Sequence, residues 1–243
     1  MHLYEYEPGL YKAIYGHPVT KNFIYEGNER YVNQSLVRST FYGSWSDRVY
    51  SKQLKEADHV NLPRGGRRFQ IKNINKDVQY LLIRAFQANN TAVQESNNFY
   101  DSIKNLITAP NLIVDLRNNE GGAGRLTRKY FDLINEFTKK GTVYVLLNHS
   151  TLSQAEIFTL NLKRLKNVVT VGQTTKGMLA YGSNYDYRTK LPSQQFEIYP
   201  TDMRGGLNLL QYECYGIDPD ITLDSNSDWI EQVVLLINRK LPH

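Results

Sequence analysis

The chain has one cysteine, Cys214, which excludes an internal disulfide and any metal site built from several thiolates. Its surroundings, "YECYG", contain no histidine, which predicts a buried structural thiol. The five histidines, His2, His17, His59, His149 and His243, show no ligand-like spacing, so neither a metal nor any other cofactor is expected. No apolar run approaches the ~18 to 20 residues that span a bilayer. The opening "MHLYEYEPGL" lacks the basic start and apolar core of a secretory leader. Excess charge is also scarce. Of the net +5, four charges fall in residues 1–72, where eleven Lys/Arg meet seven Asp/Glu, and the remainder is nearly neutral. The tightest basic cluster, "RGGRR" at 64–68, has no interleaved aromatics, which argues against a nucleic-acid partner.

What is present is an ordinary folding composition, 41% hydrophobic and 22% charged, in 243 residues. That length is close to where single cores stop growing. From residue 69 onward, short β-rich runs alternate with segments of helical period. "QYLLIRAF" (79–86), "NLIVDL" (111–116), "TVYVLLN" (142–148) and "NVVTVG" (167–172) read as strands. Between them, Phe99, Ile103, Leu106 and Ile107 fall on one helical face. Leu126, Tyr130, Leu133, Ile134 and Phe137 mark a second helix, and Ile157, Phe158, Leu162 and Leu165 a third. Trp229, Val233, Leu236 and Ile237 mark a last helix, capped through Asp228 and Glu231. Strand and helix in close alternation predict right-handed crossovers and a largely parallel sheet. Residues 1–68, rich in Tyr, Arg and Asn and broken at "YGHP", "EGN", "YGS" and "PRGG", read as an N-terminal flank to a core domain at 69–243.

Two strand-to-helix loops carry the chemistry. "DLRNNEGGAGR" (115–125) places Gly121, Gly122 and Gly124 where backbone amides can face a ligand with no Cβ in the way. Its spacing fits neither dinucleotide nor P-loop fingerprints. The other use of such amides is an oxyanion hole beside a nucleophile. "STLSQAEIF" (150–158) supplies a serine, although Ser153-x-x-Glu156 is also a helix capping box.

"NLIVDLRNNEGG", "VLLNHSTLSQAEIF", "VVTVGQTTKG" and "GIDPDITL", in this order and at these intervals, resemble the tail-specific or C-terminal processing serine peptidases and their relatives in the tricorn core. The family patterns run approximately I-D-L-R-N-N-x-G-G, V-N-x-x-[ST]-A-S-A-S-E-I, G-x-x-T-x-G-K-G and G-I-x-P-D. The resemblance covers roughly residues 79–240 and implies a crotonase-like fold of stacked β-β-α units. It also implies extended peptide substrates, and export from the cell. Ser153 takes the nucleophile's place, and the amides of Gly121, Gly122 and Gln154 take that of the oxyanion hole.

The base departs from the pattern. Met178 stands where the processing peptidases carry a lysine, and Leu82 where the tricorn-like branch carries a histidine. Lys176, two residues before Met178, serves only if desolvation depresses its pKa. Other candidates are His149, and His59 and His17 from the flank. Glu213 matches a glutamate of the tricorn-like branch, suited to orienting a base or binding an amine. The resemblance implies a serine endopeptidase of the tail-specific type. The alternatives are an inactive relative that binds extended peptides by strand addition and an anionic-polymer binder acting through "RGGRR".

Overall fold

The structure, a computed structural model, describes residues 2–7, 10–14, 23–26, 60–62, 66–182, 188–192, 194, 197–198, 201 and 203–240. The chain divides into two compact units, one of residues 1–56 with 180–208, the other of residues 57–179 with 209–243. Residues 180–208 therefore group with the N-terminal segment, across the sequence boundary drawn at 68.

In the first unit, β1 (His2–Glu7), β2 (Leu10–Ile14) and β3 (Phe23–Glu26) form an antiparallel meander. Four two-residue strands follow: β9 (Tyr181–Gly182) pairs with β12 (Met203–Arg204), and β10 (Thr189–Lys190) with β11 (Glu197–Ile198).

The second unit is built on a six-stranded sheet in the order β13-β8-β7-β6-β5-β4. Its strands are β4 (Phe69–Asn73), β5 (Val78–Ile83), β6 (Asn111–Asp115), β7 (Thr142–Leu147), β8 (Val168–Gly172) and β13 (Ile221–Thr222). Only β4–β5 is antiparallel; the other pairings are parallel. The expected α/β class with a mostly parallel sheet is thus observed. β5 and β6 are buried at every residue, as strands covered on both faces must be. Alternate residues feed two cores. Leu81, Ile83, Leu112, Val114, Val143 and Val145 pack under α1 (Asn90–Ile103), α2 (Arg128–Phe137) and α3 (Gln154–Lys163). Tyr80, Leu82, Ile113, Tyr144 and Leu146 pack with Val60 under Trp229, Val233 and Ile237 of α4 (Trp229–Lys240). Asp228 caps α4, its Oδ1 accepting the N–H groups of Ile230 and Glu231 (2.8 and 2.9 Å).

Two local expectations fail. The 99–107 apolar face is not one helix: α1 ends at Ile103, and Leu106 is 53% exposed. The Gln79 side chain causes the break. Its Nε2 donates to the Leu106 carbonyl (2.9 Å), and its Oε1 accepts the N–H groups of Thr108 and Ala109 (2.7 and 3.0 Å). Those backbone groups are thereby satisfied without a helical turn. Cys214 is exposed rather than buried. It occupies a tight turn at φ 72°, anchored by its N–H to the Gly177 carbonyl (2.8 Å).

The edge strand β13 is fastened by Asp220. One oxygen accepts Lys163 Nζ (2.5 Å), the other the Thr170 N–H and hydroxyl (2.8 Å each). Burial alone would raise this carboxyl; Lys163 and Thr170 outweigh it and hold it below the ordinary aspartate range. A depressed folded pKa contributes stability above the unfolded value of ~3.9 that is lost as pH falls through the folded value. Asp220→Asn is expected to cost about 1 kcal/mol at neutral pH, and to flatten the acid limb of stability in urea melts collected between pH 2 and 7.

Candidate active site

The site lies where β6 and β7 end. Asp115, last in β6, is fully buried and holds Arg117, itself 3% exposed. Arg117 Nη2 donates to Asp115 Oδ2 (2.6 Å) and Nε donates to both oxygens (3.0 Å each). Tyr80 Oη donates to Asp115 Oδ2 (2.7 Å). Burial first, and the Asp115 charge second, push the Tyr80 phenol well above its usual range, so it remains a donor. Burial alone would lower Arg117, but Asp115 and Tyr80 hold it above its ordinary value and keep it charged.

The next residues join neighbouring strand ends through asparagines. Asn148 is fully buried. Its Oδ1 accepts the N–H groups of Asn118 and Ser150 (3.0 and 3.2 Å), and its Nδ2 donates to Asn118 Oδ1 (3.0 Å) and the Val60 carbonyl (2.9 Å). Asn119, also fully buried, donates to the Ile83 carbonyl (2.9 Å), and its own carbonyl accepts the Leu152 N–H (3.0 Å). The glycine loop is thereby fixed to the serine loop.

Contact between those loops requires glycine. Gly121 has φ 83°, and a Cβ there would stand 2.7 Å from Gln154 N and 2.9 Å from Ser153 Cβ. At Gly122, φ 134°, a Cβ would meet the Phe86 carbonyl oxygen at 2.1 Å. The Gly121 N–H donates to Asn119 Oδ1 (2.9 Å), whereas the N–H groups of Gly122 and Gln154 have no hydrogen-bond partner among the described residues.

Ser153 is the N-cap of α3, with φ 57° and ψ −122°. That conformation is sterically costly for a residue with a Cβ, on the order of 1–3 kcal/mol. The capping box is present. Its firm half is the Ser153 N–H donating to Glu156 Oε2 (2.9 Å), while the Glu156 N–H donates to the Ser153 carbonyl (2.9 Å) and leaves the hydroxyl without a well-formed cap bond.

Glu156 does more than its capping pattern indicates. Fully buried, it accepts the Thr175 hydroxyl and the Gly177 N–H at Oε1 (2.6 Å each), and the Met178 N–H at Oε2 (2.9 Å). Burial is the largest influence on this carboxyl and pushes it up; the four donors act the other way. The next amide along, Leu179, donates to Glu213 Oε2 (3.0 Å). Glu213 is buried, not a surface carboxylate. Three consecutive amides of the 177–179 segment therefore end on two glutamates. The capping pattern marks Glu156 only as a cap, because its other three partners lie 19 to 22 residues away and two of them are unmarked backbone N–H groups.

Among the proposed bases, Lys176 is exposed, and its N–H donates to the Thr151 carbonyl (3.0 Å). His149 is half-buried, in a turn closed by the Thr151 N–H to the Asn148 carbonyl (2.9 Å), and its Nδ1 lies 3.4 Å from Gln173 Oε1. Leu82 is packed in the core beneath α4. His17, His59 and part of "RGGRR" lie outside the described residues. Among the described residues there is no group of three or more potential metal ligands, and no helix is long and apolar enough to cross a membrane.

A serine on a strained strand-to-helix turn thus stands against a glycine loop at the end of a parallel sheet. Residues 124–223 match the sequence model of peptidase family S41, the family of processing peptidases that the motifs resemble. No curated protein matches it. A lipoprotein from Streptococcus agalactiae is similar in structure at 18% identity and TM-score 0.52, over 72% of this chain and 71% of that one. A structure described as a putative peptidase from Parabacteroides merdae is similar at 16% identity and TM-score 0.50, over 79% and 72%. The tricorn protease shares 17% identity over 68% of this chain and 18% of its own, with TM-score 0.48.

Proposed function

We propose that the protein is a serine endopeptidase of the tail-specific type, with a crotonase-like core, cleaving extended peptides through an acyl-enzyme on Ser153. The observation that carries this reading is the strained backbone of Ser153 pressed against Gly121. A helix cap needs no such conformation, so capping alone does not account for it. In the proposed step Ser153 Oγ attacks the peptide carbonyl, and its proton passes to the base. The Gly122 and Gln154 N–H groups hold the oxyanion, Gly121 being already engaged by Asn119. The base returns the proton to the departing amine, and water then hydrolyses the ester.

His149 is the base in this proposal. Gln173 Oε1, 3.4 Å from Nδ1, orients the ring, and the residue lies four positions before Ser153, just past the end of β7. Lys176 is too exposed for the desolvation that its use as a base demands. Export from the cell belongs to the same proposal; it rests on the family resemblance and on the lipoprotein among the structural neighbours.

Labelling by an alkyl fluorophosphonate tests the reading. Wild type should be labelled and Ser153→Ala not. His149→Gln is expected to slow labelling about 10²-fold, while Lys176→Met leaves it unchanged. Equal labelling of wild type and His149→Gln would reject His149 as base. A second reading is favoured by Met178 and Leu82 at the usual base positions: a peptide-binding relative without turnover. Unlabelled wild type that still binds extended peptides would establish that reading instead.

A further inference from the structure

The first residue of α3 is unusual for its place. Gln154 stands where the family pattern has alanine, immediately after the proposed nucleophile. Its carboxamide lies over Gly124, with Cδ, Nε2 and Oε1 each 3.4 Å from the position a Cβ there would occupy. Equal distances to three atoms of a planar group mean that the plane is face-on to the glycine. The flat face is braced, and the edge that carries the donor and acceptor remains available. Gln154 is half-buried, and neither polar atom of its side chain has a hydrogen-bond partner among the described residues.

We infer that the Gln154 side-chain amide binds the main chain of the substrate peptide beside the scissile bond, as a positioning residue. This rests on the assignment of Ser153 as nucleophile. An extended peptide presents N–H and C=O groups along its edge, and a primary amide offers a donor and an acceptor to match them. The backbone N–H of the same residue is a proposed oxyanion donor, so the side chain starts one residue from the reacting carbonyl. Alanine at this position supplies the oxyanion amide alone; glutamine adds a grip on the strand that is indifferent to side-chain sequence.

Two phosphonate probes separate this role from a structural one: an alkyl fluorophosphonate with no amide groups, and a capped dipeptidyl diphenylphosphonate with main-chain amides flanking phosphorus. Gln154→Met keeps the packing over Gly124 without the hydrogen bonds, and Gln154→Ala removes both. For each variant, labelling by the peptidyl probe should slow about 10-fold, the equivalent of one modest hydrogen-bonding contribution. Labelling by the alkyl probe, which has no main-chain amide to grip, should slow less, so the ratio of the peptidyl rate to the alkyl rate falls in each variant. Equal slowing of both probes, or no change in either, would overturn the inference. Wild type that reacts with neither probe would instead overturn the Ser153 assignment, and this inference with it.

Discussion

Glu156→Ala is expected to destabilise the protein by about 4–5 kcal/mol and to abolish labelling of Ser153. The side chain accepts four hydrogen bonds in a fully buried site: from Ser153 N–H, Thr175 Oγ1, Gly177 N–H and Met178 N–H. An orphaned buried donor costs roughly 1–3 kcal/mol, and truncation adds a cavity. The effect extends beyond stability because the carboxylate is the joint between the serine turn and the 175–178 segment. With the joint gone, nothing holds the Ser153 N–H in a turn whose φ of 57° is unfavourable in isolation. Glu156→Gln should lose less, about half as much in order of magnitude. It forfeits acceptor contacts, but it also removes a charge whose burial is costly and pushes the carboxyl up. Urea melts measure the first effect and fluorophosphonate labelling of the folded variants the second. A Glu156→Ala protein as stable as wild type would reduce the residue to a cap.

This joint also marks where sequence reading ends. The alternation of apolar runs gave β5 through β8 and the three helices that follow α1, because periodicity is a local property that burial enforces directly. The Ser153–Glu156 pair was legible because a capping box lies within one helical turn. The rest depends on contacts with no local signature. Gln79 ends α1 by capturing residues 106–109 from another strand, so the Leu106 face was misread. Cys214 is exposed in a turn that its backbone N–H anchors to the distant Gly177 carbonyl. The Gly121 N–H, one of three expected oxyanion donors, is taken by an asparagine two residues earlier. Glycine spacing announces that amides are accessible; it does not say which of them an adjacent side chain will satisfy.

Arg117→Leu is the second large prediction, at roughly 3–5 kcal/mol. The size follows from what remains, not from what the ion pair contributes. Asp115 has no exposed surface, and without the guanidinium its charge keeps, among the described residues, Tyr80 Oη and the backbone N–H of residue 117. Replacing both members by apolar groups, as in Asp115→Leu/Arg117→Leu, should therefore cost less than the sum of the single changes, with a coupling of about 2–3 kcal/mol in a double-mutant cycle. Additivity within ~0.5 kcal/mol would show that the pair is not acting as a unit. The double variant separates stability from chemistry. Asn118 and Asn119, which tie the glycine loop to the serine loop, follow directly on Arg117. If the ion pair serves to aim that segment, the double variant regains stability without regaining labelling of Ser153. If it serves only to fill the sheet end, both return together.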